Sequence, residues 1–240
     1  MKKLHLTPIL FIALVSVALL PSCRLSCVKG SGHQVTQTLK MGDFSRINIE
    51  GGFKVVLKQD SSKNVSITAD DNLQQYIRTE SDGDELHIYH NKNICESGEM
   101  VINIGVHNLE AIKGSGAVVF SSDGKLNTKD LTIKLAGASK VDLDLTAANV
   151  TTRGAGSTDI TLKGQATSHH IELTGEGTVS ALDFVVGSYD IHTTGASHCE
   201  INVLNSLNVN TTGSSDIKYR GNPTDVNSSK TGASTLTKIN

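Results

Sequence analysis

A short glycine-led segment recurs through the second half of this 240-residue chain, and it limits the possible folds more than any other feature. The copies start at Gly114 (GSGAVVF), Gly137 (GASKVDL), Gly156 (GSTDITL), Gly175 (GEGTVSA), Gly195 (GASHCEI), Gly213 (GSSDIKY) and Gly232 (GASTLTK). Successive starts lie 23, 19, 19, 20, 18 and 19 residues apart. A fixed period of this kind marks stacked supersecondary units, each too small to bury an apolar face alone.

Within each copy the residue types alternate. Counting from the glycine, position +2 is small (Gly116, Ser139, Thr158, Gly177, Ser197, Ser215, Ser234). Position +4 is apolar (Val118, Val141, Ile160, Val179, Cys199, Ile217, Leu236). Position +6 is apolar (Phe120, Leu143, Leu162, Ala181, Ile201, Tyr219) until Lys238 in the last copy. Positions +3 and +5 are mostly polar, as in Lys140, Asp159, His198 and Asp216, or Asp142, Glu200 and Lys218. Period two with one apolar side is a half-buried strand. A second strand precedes the glycine, with Ile133, Ile171, Ile191 and Val209 facing in and Lys134, Glu172, His192 and Asn210 facing out. Each unit therefore reads as strand, tight glycine turn, strand and return loop. Seven such coils stacked about 4.8 Å apart bury a continuous ladder. Cys199 takes a Val/Ile position and reads as a buried, inert thiol. Lys238 reads as the break at a terminal cap.

The first third is less regular. Phe44–Glu50 and Phe53–Lys58 alternate around Gly51-Gly52. Val65–Ala69, Glu85–Tyr89 and Met100–Ile104 are further strand candidates, residues 72–77 suit a helical turn, and Asp82-Gly83 marks a tight loop. We expect one continuous β structure: an irregular part over 34–113, then seven coils over 114–240.

Residues 1–22 read as a secretory signal. Lys2 and Lys3 supply the positive end, and Ile9–Leu20 is an apolar run broken only by Ser16, too short to span a bilayer. The run ends Leu20-Pro21-Ser22-Cys23, which matches a bacterial lipobox with Cys23 as the acylated residue. Cys27, with Arg24 at its −3 position, fits that role less well. Residues 23–33 read as a flexible tether. The remaining cysteines, Cys27, Cys95 and Cys199, form no framework spacing, although Cys27 and Cys95 could pair in an exported protein. The chain has 22 Lys+Arg and 24 Asp+Glu; the leader contains both Lys2 and Lys3 and no acid, so the rest carries −4. That balance argues against nucleic-acid binding.

Four segments, in this order, resemble the head GIN domain family of auto-transporter adhesins, proteins of bacterial envelopes. They are Phe44-x-x-Ile-x-Ile-x-Gly-x-Phe-x-Val-x-Leu (44–57), Ile67-x-Ala-Asp-Asp-Asn-Leu (67–73), Asp84-Glu-Leu-x-Ile (84–88) and the serial GSG-like turns from Gly114. The resemblance covers residues 34–240. It implies a single-stranded, right-handed parallel β-helix of the pectin-lyase-like kind, with ~19-residue coils. It implies cell adhesion, oligomers such as trimers, and no catalytic residues. Here many turns read GAS or GSS rather than GSG.

Two chemical readings are weighed against a solvated strand face. His198 and Asp216 fall one rung apart in the +3 column with Glu200 beside them, a pairing suited to general acid–base work on a polysaccharide. No Arg or Lys is placed nearby by the repeat, since Lys140 is three rungs away. His169-His170, His192 and His198 raise a metal question, but the repeat puts His192 and His198 on opposite sides of one turn. No cofactor and no metal is expected. The expectation is a non-enzymatic, lipid-anchored outer-membrane protein, on the periplasmic or surface face, that binds a polysaccharide, a host or cell-surface ligand, or its own copies. The alternatives are a β-helical carbohydrate-active enzyme and a self-assembling structural protein.

Overall fold

The computed structural model describes residues 27–240. The leader and Cys23 lie outside the described residues.

The alternation read along the chain becomes burial. Val141, Ile160, Val179, Cys199 and Ile217 are fully buried, as are Ile133, Ile171 and Ile191 on the strand before each turn. Burying one Val, Leu or Ile side chain is worth about 1.5–3 kcal/mol, so each coil gains little alone and the ladder gains through repetition. Among the described residues the protein is all-β apart from one helical turn, Asp71–Gln74.

The strands in chain order are β1 (Val28–Lys29), β2 (Gln34–Lys40), β3 (Arg46–Gly51), β4 (Lys54–Gln59), β5 (Asn64–Asp70), β6 (Ile77–Asp82), β7 (Glu85–His90) and β8 (Ile94–Glu96). They continue with β9 (Val101–Val106), β10 (Ala111–Gly116), β11 (Val119–Asn127), β12 (Asp130–Arg220), β13 (Asp225–Gly232) and β14 (Thr235–Lys238). β1 pairs only with β8; the others form one large mixed sheet that does not close into a barrel. At 91 residues, β12 drawn straight would reach roughly 300 Å. Instead it turns at each repeat glycine, so that Gly156 lies against Gly137 and Gly213 against Gly195. Flanking strands pair parallel to it, one coil apart: β10 below (Ile112↔Ile133) and β13 above (Gly213↔Gly232).

The stacking order departs from chain order in the first third. β3 lies between β10 and β7, and β4 between β11 and β9, all parallel. The coil containing residues 85–106 is thus on the far side of the coil containing residues 46–59. β5 then runs antiparallel outside β9 and β2 antiparallel outside β5, while β6 runs antiparallel outside β7. These antiparallel strands cover the N-terminal end and make the sheet mixed, a departure from the wholly parallel stack expected. At the other end β13 is exposed along its whole length, with Val226 exposed and Leu236 only partly buried.

Residues 27–33 are not a free tether. Cys27 is disulfide-bonded to Cys95, with Cα atoms 5.5 Å apart. Val28 N–H donates to Asn93 O, Gly30 N–H to Glu96 O, and Ser31 Oγ to Asp71. The buried carboxylate of Asp70 accepts from the N–H groups of Gly32 and Gly98. A buried carboxylate needs such donors, and here they fasten the N-terminal segment to the body.

Candidate functional site

The repeat glycines form the spine of the outer face. The column runs Gly51, Gly116, Gly137, Gly156, Gly175, Gly195, Gly213, Gly232, all with positive φ. The first repeat therefore starts at Gly116, not Gly114. Gly114 pairs with Ile49 and Leu135 and points inward, where an added Cβ would stand 2.8 Å from the Phe120 ring. The cause is volume exchange around the corner. At the four corners built on Gly116, Gly137, Gly156 and Gly175, the residues two before and two after the glycine are Gly114/Val118, Leu135/Ser139, Gly154/Thr158 and Leu173/Gly177. A large side chain on one side is matched by a small one on the other, which keeps the corner filled without overlap. With Gly116 as origin, Phe120 rather than Val118 aligns with Val141.

Outward side chains repeat coil by coil and bond along the stack. Asn149 Nδ2 donates to Asp130, Ser168 Oγ to Asn149, and Ser206 Oγ to Ser188. Lys140 pairs with Asp159 at 2.6 Å and Arg153 with Glu172 at 2.7 Å.

The structure does gather His198, Glu200 and Asp216. His198 Nε2 is 3.3 Å from Glu200 and its Nδ1 is 3.3 Å from Asp216. Lys218, one coil beyond Glu200, reaches Glu200 at 3.4 Å and Asp216 at 3.7 Å. The expectation that no cation stands nearby is thereby corrected. His198 and Asp216 edge a shallow groove of about 440 Å³ that also includes Glu176, Thr178 and Thr235. Asp216 accepts from Thr235 and faces Lys218 and His198, which together hold its carboxyl below the usual range. A general acid at neutral pH needs the opposite shift.

A second histidine cluster lies on the strand before the turn. His170 Nδ1 is 2.9 Å from one oxygen of Asp190, and His192 Nε2 is 3.0 Å from the other. His170 Nε2 is also 2.8 Å from Glu172, whose second oxygen accepts from Arg153. Hydrogen bonds from His170 and Arg153 bring Glu172 down to about 2. Partial burial pulls His170 down, but its bonds to Glu172 and Asp190 outweigh that and raise it. Sequence spacing alone did not bring in Asp190. The available signal was its place five residues before Gly195, matching His170 five before Gly175.

His169 faces inward instead. It is fully buried, shares a 2.8 Å hydrogen bond with Thr152 and packs against Tyr189 and Phe184. Cys199 is buried and free. Among the described residues, no helix is long and apolar enough to cross a membrane.

Solved structures share this architecture. A "putative adhesin" from Bacteroides fragilis NCTC 9343 superposes with a TM-score of 0.82 at 22% identity, covering 88% of this chain and 100% of that one. A "putative lipid binding protein" from Parabacteroides distasonis ATCC 8503 gives 0.72 at 20% identity, covering 90% and 100%. A "putative adhesin" from Parabacteroides merdae ATCC 43184 gives 0.69 at 19%, covering 89% and 99%. At these identities the likeness is one of fold. Nothing among the curated proteins matches. The model of the family described as "Putative auto-transporter adhesin, head GIN domain" matches residues 43–223, most of the β body, and the chain belongs to that family.

Proposed function

We propose that this protein is a lipid-anchored envelope adhesin that binds an extended, repetitive ligand through multivalent contact and carries out no catalysis. The observation that carries this reading is the set of outward columns: identical polar positions repeat at one fixed step along the stack, as in Asp130, Asn149 and Ser168. A polymer with a regular repeat meets the same group many times, so weak contacts add through effective concentration. Family membership and the adhesin descriptions of the B. fragilis and P. merdae structures support the same reading. The parallel, one-coil register supports a parallel β-helix for the stack, and the family resemblance supports its right-handedness.

Acylation at Cys23 is part of the proposal. It rests on the Leu20–Cys23 motif, and the Cys27–Cys95 disulfide agrees with an oxidising compartment. Four chain steps separate Cys23 from Cys27, a reach of at most about 14 Å. The disulfide-bearing N-terminal end would then sit directly on the outer membrane, with the stack projecting away from it. This geometry favours ligand capture along the side of the stack.

The His198–Asp216 groove favours a second reading, a carbohydrate-active enzyme. One experiment separates the two. The Cys23→Ser protein is run through gels cast with different polysaccharides, and the same mixtures are assayed for new reducing ends and unsaturated products. Retardation without product supports the adhesin. Product that disappears with His198→Ala overturns it, and neither retardation nor product refutes polysaccharide as the ligand in favour of self-assembly or a protein partner. Metabolic labelling with a fatty acid tests the anchor: label that survives Cys23→Ser would sink it.

A further inference from the structure

We propose that His170 Nδ1, Asp190 and His192 Nε2 form a binding site for a divalent transition-metal ion of the zinc class on the outer face of β12. One ligand atom from each residue lies within 4.8 Å of the other two. Ligands of a tetrahedral zinc with bonds of 2.0–2.1 Å lie about 3.4 Å apart. His170 Nδ1 lies 2.9 Å from one oxygen of Asp190 and His192 Nε2 lies 3.0 Å from the other, so an ion that replaced the two bridging protons would require the carboxylate to turn one oxygen toward both rings as well as a small opening of each separation. Two imidazoles and one carboxylate suit zinc, nickel or copper(II) rather than calcium or magnesium.

The outer shell is already built. A metal-bound histidine normally donates its other ring N–H to a carboxylate, which sets the tautomer. His170 Nε2 meets Glu172 in this way, and Arg153 holds Glu172 from behind. Asp190 is steadied by Asn208 Nδ2, which donates to it at 2.8 Å. His170, Asp190 and Asn208 occupy one position on three successive coils, and His192 lies two residues after Asp190. All four sit on continuous strand, which holds a constellation more firmly than a loop does. The side chains of the three ligands are 31–43% exposed, so the fourth position opens to solvent.

The His198 cluster shows why the site is here and not there. Lys218 places an ammonium within 3.4 and 3.7 Å of both carboxylates of that cluster, in the space a cation would need. At His170 the nearby cation, Arg153, is bonded to the oxygen of Glu172 that faces away from the histidine.

The test uses the untagged Cys23→Ser chain and zinc chloride alone, followed by titration calorimetry, with cobalt(II) as a spectroscopic probe. The expected result is saturable binding of one ion per chain and a tetrahedral cobalt spectrum. His170→Ala and His192→Ala should each abolish it. Asn208→Ala should weaken it about tenfold, as loss of an outer hydrogen bond does, and His198→Ala should leave it unchanged. His192→Gln guards against misfolding, since it keeps the size and polarity and removes the imidazole; its circular dichroism should match that of the parent. No saturable binding by the parent would overturn the proposal. So would binding that survives the double substitution of His170 and His192, or binding lost with His198→Ala.

Discussion

The carbonyl oxygen of Gly156 faces the α-carbon of Gly175 so closely that a Cβ built on Gly175 would stand 2.6 Å from it. Gly175 also has a φ of +108°, where side chains are rarely found. Gly175→Ala should therefore destabilise the protein by at least about 1–3 kcal/mol from backbone strain, with the clash adding to this. Urea unfolding measures the loss. Gly83→Ala is the comparison, because nothing lies within 4 Å of its added Cβ; if the two variants unfold alike, the stacked spine is not what Gly175 serves.

Acid should act through His169. Burial pushes its pKa down from 6.5 to about 3 in the folded protein. The unfolded chain thus binds the proton first, and stability falls as pH drops from 6.5 toward 3, by about 1.4 kcal/mol per pH unit. His170, raised by its carboxylates, has the opposite sign: its contribution is present at low pH and fades as pH rises through its raised pKa. His169→Leu isolates the first effect. The stability difference between parent and variant should narrow or reverse as pH falls from 7 to 4.5, and a difference independent of pH would refute the assignment.

The Cys27–Cys95 bridge closes a loop with a sequence separation of 68, worth up to about 4 kcal/mol on a chain-entropy account. Cys95→Ser should lower the urea midpoint. Hydrogen exchange should accelerate in β1 and β8 while β12 amides keep their protection.

Cys199 lies in the Val/Ile ladder, and burial raises its thiol to about 12. In the Cys23→Ser protein, a thiol reagent should find nothing to label in the native state and one thiol in denaturant. Cys199→Val should be tolerated, because its neighbours in the column, Val179 and Ile217, are branched aliphatics. Rapid native labelling would contradict its burial.

Much of the body was legible because a strand converts local alternation into inside and outside without further information. Val141, Ile160 and Ile171 face in, and Lys134 and Asp159 face out, as their positions in the repeat require. The histidines were harder to read. His169 and His170 are adjacent, yet one is core and the other ligand-like, because the strand alternation assigns them opposite faces.

By itself, the sequence determined the all-β class, the coil period, the inward columns and the family. Each is a local or periodic property, visible wherever two residues apart share a face. Tertiary structure decided the rest. It placed the 85–106 coil outside the 46–59 coil, brought Cys27 to Cys95, shifted the first repeat to Gly116 and set Asp190 between His170 and His192. These depend on which coil lies beside which and on how volume is shared across a corner. Both are settled only when distant segments pack.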